Sequence, residues 1–228
     1  MTGTPPGQPA AHLAHRPSGT VAALGEAAGA RLPAYVTREQ ARAVIAAAAR
    51  TRDRLLFECL WQTGGRVTEV LRLRRGDVDA REGALRLTNL KQRRRALREK
   101  LVYVSPELLR DLVHYARDLR LGPGDHFFTS RKTDAPGASG APMTRQHAWW
   151  LRRRAAEQAG VTVPGADGRP RPATGLDFRH GAAVHQLRAG VPLSEVQQQL
   201  GHARIDTTTL YTKLTNRERR SYADRVEW

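Results

Sequence analysis

The sequence predicts a mainly α-helical domain with one small antiparallel β-sheet, an α+β fold. Three observations predict it. Apolar residues recur at helical spacing behind capping signals at Thr37, Ser105 and Thr144. One stretch only, 77 to 104, changes to strand-like alternation. Gly190 and Gly201 then punctuate a helical last third as stop signals. At 228 residues the chain is long enough to bury a real core in one main domain.

Taken in order, residues 1–33 carry Pro5, Pro6, Pro9 and Pro17 and no aromatic side chain, which predicts a flexible N-terminal arm. The main domain is expected over 34–212, with 213–228 as a tail. Thr37-Arg38-Glu39-Gln40 has the form of a capping box before a helix over 41–50. A second helix, 52–62, presents Leu55, Leu56, Cys59 and Leu60 and stops at Gly64-Gly65; a short third follows over 67–73. Alternation at Gly76–Asp79, Ala84–Thr88 and Leu101–Val104 predicts the sheet, with a very basic loop from Lys91 to Lys100. Ser105-Pro106 opens a helix to about Leu121, ended by Gly122-Pro123-Gly124. Loops are expected over 130–142 and 163–175, separated by a helix from Thr144 to Gln158. Helices over 176–189 and 192–200, and one from about Asp206, complete the chain.

A formal net charge of +16, with 38 Lys and Arg against 22 Asp and Glu, draws the molecule to a polyanion. A hydrophobic content of 40% separates it from a disordered basic tail, so nucleic acid is the leading partner class. Only Lys91, Lys100, Lys132 and Lys213 are lysines, so a lysine at a chemically meaningful position stands out from an arginine background. The single Cys59 cannot form an internal disulfide and suits a packing role in a reducing cytoplasm. No run approaches the ~18 apolar residues of a membrane span, and the expected location is cytoplasmic, without membrane contact.

Three motifs carry chemistry. In Thr63-Gly64-Gly65-Arg66-Val67-Thr68-Glu69, two glycines let backbone approach closely while Arg66 stands at a helix start, placed to grip a phosphate; Glu69 can hold it there. In Leu176-Asp177-Phe178-Arg179-His180, a guanidinium sits next to apolar Phe178 and needs an anion. Finally Leu200-Gly201-His202 precedes Tyr211. A phenol with pKa near 10 is a poor nucleophile at neutral pH unless cations and proton carriers surround it.

In this order the motifs Thr-Gly-x-Arg-x-x-Glu, Arg-His, Leu-Gly-His and Thr-Thr-x-x-Tyr resemble the catalytic domain of the tyrosine recombinase (phage integrase) family, over about 35–215. The resemblance implies that fold and a role for each residue. Arg66 and Arg179 match the arginines that hold the scissile phosphate of double-stranded DNA, and His202 supports it. Tyr211 matches the nucleophile that forms a 3′-phosphotyrosyl link. Lys91 matches the hairpin lysine that protonates the leaving oxygen, with Lys100 as the alternative. Glu69 matches the acidic residue after the first arginine; His180, one position past Arg179, is a supporting residue that points elsewhere. The phosphotyrosine preserves the bond energy, so neither ATP nor a metal ion is implied as a cofactor. The family assembles as a tetramer on two DNA sites, with the tail exchanged between subunits.

The chain departs from the family twice. Where a His or another polar donor precedes the second arginine by three positions, this chain has Leu176, which cannot hydrogen-bond a phosphate. Three readings stay open: a slower enzyme, a donor supplied from elsewhere such as the 163–175 loop, or a protein that binds DNA without cutting it. The separate core-binding domain is also missing, as in compact fimbrial phase-switch invertases, unless the chain is truncated or a partner supplies that half. Basic residues Arg93, Arg94 and Arg95, and Arg152 and Arg153 after Trp149-Trp150, are placed to follow the DNA backbone; at least one of the two tryptophans is expected in the core. An accessory DNA-binding protein is a further possible partner. The competing functions are a non-cleaving regulator on the same fold and a type IB topoisomerase. A helix-turn-helix reading of 192–212 leaves Arg66 and Lys91 unexplained.

Overall fold

The computed structural model describes residues 33–88, 99–130 and 140–201. Helices dominate it. They are α1 (Arg38–Ala46), α2 (Thr51–Thr63), α3 (Val67–Val70), α4 (Pro106–Asp118), α5 (Arg145–Gln158), α6 (Gly175–Arg188) and α7 (Leu193–Leu200). Strands β1 (Val78–Asp79), β2 (Ala84–Thr88) and β3 (Glu99–Tyr103) form one antiparallel sheet in that order. Strands β4 (Thr162–Pro164) and β5 (Pro170–Pro172) form a second. Among the described residues no helix is long and apolar enough to cross a membrane.

The helix α2 is the hub because it is apolar around most of its circumference: Leu55, Leu56, Phe57, Cys59 and Leu60 are all buried. It packs on α1, α3, α4 and α6. Burial pushes the Cys59 thiol well above its ordinary value, which suits a packing role. Its polar exceptions are paired: Arg52 meets Asp53 at 2.8 Å and donates to the Thr129 carbonyl at 2.9 Å.

Several boundaries differ from expectation, each for a physical reason. The first helix stops at Ala46 instead of reaching Arg50, because Arg50 is already extended (φ −124°, ψ 146°) as the residue that opens α2. Helix α3 ends at Val70 instead of Leu73. The Arg72 and Leu73 amides instead donate to the Glu69 and Val70 carbonyls, three residues back, so the chain leaves α3 through a tighter turn. The β3 strand starts at Glu99, so Lys100 belongs to the sheet and not to the loop before it. The segment expected as a loop over 163–175 contains the β4–β5 hairpin, with Val163 opposite Arg171 and a turn at Gly168 (φ 78°). Asp167-Gly168 is the turn signal there; prolines in both strands mask the alternation around it.

Candidate active site

The site forms where α2 ends, α3 begins, and α6, α7 and β3 converge. Thr63 Oγ1 donates to the Cys59 carbonyl (2.6 Å) and accepts from the Gly65 amide (3.0 Å), closing α2 with a side chain. Gly64 then takes a left-handed conformation, φ 56°, that costs a residue with a Cβ roughly 1–2 kcal/mol. A Cβ there would also lie 2.7 Å from Leu200 Cδ2. Gly64→Ala is therefore expected to lower stability by roughly 2–3 kcal/mol, measured by urea denaturation; an unchanged midpoint would contradict this packing.

The turn delivers Arg66 to the start of α3, where its Nη1 meets Glu69 Oε1 at 2.8 Å and its amide donates to Oε2 at 3.2 Å. Glu69 is buried, while the Arg66 side chain keeps 25% exposure, so the carboxylate anchors and the guanidinium faces outward. From β3, Lys100 Nζ reaches the other carboxylate oxygen at 3.2 Å. Lys100 stands opposite Leu87 in the ladder and, two positions from buried Val102, shares its face, which gives it an inward position of the sheet. A lysine is tolerated there because Glu69 lies beneath it.

Arg179, on the buried face of α6, donates to the Gly64 carbonyl (2.8 Å) and the Leu200 carbonyl (2.6 Å). Three consecutive carbonyls at the end of α7 each receive a cation: Gln199 from Lys100 (2.7 Å), Leu200 from Arg179 and Gly201 from Arg66 (3.4 Å). The negative end of a helix dipole favours such placement. Gln199 Nε2 ties the same turn to the end of α2 through the Gln62 and Thr63 carbonyls, at 3.1 and 3.2 Å.

Burial opposes the charge on Glu69, but Lys100 and the hydrogen bonds from Arg66 outweigh it and hold the carboxyl below its usual range. Lys100 gives up its proton more readily than a surface lysine, first because it is buried and then because Arg179 and Arg66 stand near, against the pull of Glu69. One carboxylate among three cations leaves a local excess of positive charge, suited to a phosphodiester.

Arg66, Glu69 and Arg179 thus lie together, and Lys100 joins them. Lys91, Arg93, Arg94, Arg95, His202 and Tyr211 lie outside the described residues; His202 directly follows Gly201. His180 is buried on α6, about 100° around the helix from Arg179. Burial, and then Arg179 beside it, lower its pKa against the pull of Asp177, which favours the neutral imidazole. Leu176 is 60% exposed at the start of α6.

The α5 reading requires two corrections. Trp149 and Trp150 are both exposed, because Ala148, Arg152, Ala155 and Ala156 already form the buried stripe at helical spacing. Arg153 and Arg154 stack over the two indoles at 5.3 and 5.5 Å. Arg152 is not on the exposed face with Arg153: it is buried in that stripe. The sequence reading also missed the lock on α6. Asp177 accepts twice from Arg171 (2.7 and 2.9 Å) and from the Thr174 amide (2.6 Å). Thr174-x-x-Asp177 is the capping pattern that could have revealed it.

Against known proteins, residues 34–218 match the model of the phage integrase family. Tyrosine recombinase XerD of Chlorobaculum tepidum is 32% identical over 163 residues, which is 72% of this chain and 49% of that protein. The XerD of Ralstonia nicotianae is 34% identical over 196 residues, 83% of this chain and 58% of its own length. The chain spans about half the length of these relatives. The crystal structure of XerA recombinase superposes with a TM-score of 0.64 at 25% identity, covering 86% of this chain and 67% of that one. XerH recombinase bound to its difH substrate has the same fold, with a TM-score of 0.60 at 21% identity over 79% of this chain and 50% of that one. The chain belongs to the phage integrase family.

Proposed function

We propose that the chain is a site-specific recombinase that cleaves and rejoins double-stranded DNA through Tyr211. The observation that carries this reading is the group of Arg66, Lys100 and Arg179 on consecutive carbonyls that end at Gly201, one residue before His202 and ten before Tyr211. Arg66 and Arg179 hold the non-bridging oxygens of the scissile phosphate and offset the charge that grows in the transition state. The Tyr211 oxygen attacks phosphorus, the bond to the 5′-oxygen breaks, and a 3′-phosphotyrosyl link remains. That leaving oxygen takes a proton and departs as a 5′-hydroxyl. Attack by a 5′-hydroxyl from a second site reverses the step and joins new partners.

Lys91 is the proposed proton donor, and Lys100 the second candidate. The position of Lys100 beside both arginines and its weakened hold on a proton favour it; its bonds to Glu69 and the Gln199 carbonyl favour a positioning role. A substrate with sulfur in place of the leaving oxygen needs no acid. It should restore cleavage to whichever of Lys91→Ala and Lys100→Met removes the donor.

A tetramer on two DNA sites, with residues 213–228 passed between subunits, an accessory DNA-binding protein, and work at the nucleoid in the cytoplasm complete the proposal. The enzyme is tested with a nicked substrate carrying the cognate site. A covalent adduct on a denaturing gel, lost in Tyr211→Phe, is the expected result. Specific binding without any adduct would instead leave a DNA-binding regulator, the second reading that the exposed Leu176 favours. Leu176→His is expected to speed cleavage, and an equal or lower rate would mean that donors come from elsewhere. Synapsis of two sites separates a recombinase from a type IB topoisomerase.

A further inference from the structure

The Arg152 side chain is 2% exposed, and its Nε and Nη1 have no hydrogen-bond partner among the described residues. A buried guanidinium in that condition is expensive unless an anion meets it. The nearby carboxylate, Asp177, is already taken by both arms of Arg171 and by Thr174. Burial lowers the pKa of Arg152 to about 10 in spite of the pull of Asp177.

The guanidinium lies against the first turn of α6, a helix of 14 residues. A Cβ on Gly175 would stand 3.2 Å from Arg152 Nη1 and 2.9 Å from Val67 Cγ2, so only glycine lets the three meet. Thr174 Oγ1 accepts from the Asp177 amide, and the amides of Gly175 and Leu176 make no hydrogen bond among the described residues. A cation and the positive end of a helix therefore converge where the carboxylate of that turn, Asp177, takes its hydrogen bonds from Arg171 and Thr174 and none from Arg152.

We infer that Arg152 and the Gly175 and Leu176 amides form a seat for a phosphate of the DNA backbone, next to the Arg66–Arg179 group. The seat rests on the DNA reading given above and adds to it. Val67 follows Arg66 directly, and Arg179 lies one helical turn beyond Gly175, about 6 Å along the axis. The seat thus supplies donors from a neighbouring helix and from the backbone at the end of α6 where Leu176 supplies none. A chain with this net charge meets phosphate chiefly as nucleic acid.

The test uses the full chain and its Arg152→Met variant on a DNA duplex of about 30 base pairs, with affinity followed against salt. Losing one phosphate contact lowers the slope of log affinity against log salt by about 0.9, and affinity at fixed salt falls about five- to tenfold. The thermal midpoint stays level or rises, because an unpaired buried charge is gone. A purely internal role for Arg152 would leave slope and affinity unchanged, and that result overturns the seat. Should the variant fail to fold, the parent chain decides. Its Gly175 and Leu176 amide resonances shift on titration with inorganic phosphate, and no shift overturns the seat. A shift with inorganic phosphate but no change of slope on DNA marks a site for free phosphate only, which also overturns it. None of these readouts depends on cleavage, so a missing Tyr211 adduct would sink the recombinase reading and leave the seat to be judged by its own result.

Discussion

Arg179→Ala is expected to lower the rate of strand cleavage by about 10²–10³-fold, the scale of losing one preorganised charge donor at a transition state. Stability falls as well, because the Gly64 and Leu200 carbonyls lose their charged donor, at about 1–3 kcal/mol for each buried acceptor left unsatisfied. The two effects separate when cleavage is normalised to the folded fraction at a temperature well below the variant's midpoint. Arg179→Lys retains a charge but not the fork that spans two carbonyls from different helices, so it should recover only a small part of the rate. Near-complete recovery would show that charge alone matters at this position and that the two-carbonyl geometry does not.

Glu69→Gln is expected to have the largest effect on stability, a loss of about 3–5 kcal/mol in urea denaturation, because Lys100 and Arg66 lose their shared carboxylate in a buried setting. Adding Lys100→Met should return part of that loss, as it removes the charge left stranded. A double variant as unstable as the single one would mean that Lys100 is not the stranded group. The pH dependence has a definite sign. Glu69 has a depressed pKa in the folded chain, so its contribution is full above the ordinary carboxylate pKa and is lost as pH falls through the lower folded value. Lys100 is also lowered, so the unfolded chain binds more protons just below the ordinary lysine pKa, and stability rises with pH across that window. The acid limb of a stability profile should accordingly be steeper in the parent than in Glu69→Gln.

Much of the architecture was legible because local signals and burial agree. Thr37, Ser105 and Thr144 each cap the helix that follows them, and Gly64 and Gly201 each stop one in a left-handed conformation. The failures occur where tertiary contact overrides local preference. Ala46 to Ala49 are good helix formers, yet the chain turns there because Arg50 takes the extended conformation that opens α2. Tryptophans suggest a core, but on α5 the narrow stripe of alanines and Arg152 reaches it first. Lys100 reads as part of a basic loop until the strand register turns it inward onto Glu69. Of the site itself, Arg66, Glu69 and Arg179 were legible from spacing and resemblance. The partners that orient them were not, because carbonyl oxygens have no letter in a sequence.

The anchor at the end of α7 bears on how such a site survives drift. The three acceptors on Gln199, Leu200 and Gly201 are backbone atoms, so a change of side chain there removes no oxygen and acts only by moving the backbone that carries it. Selection can act on them only indirectly, through the left-handed turn at Gly201 (φ 63°), the burial of Leu200 and the clasp from Gln199 to α2. A substitution across this turn therefore spares the hold on three cations wherever it lets the helix end in the same way.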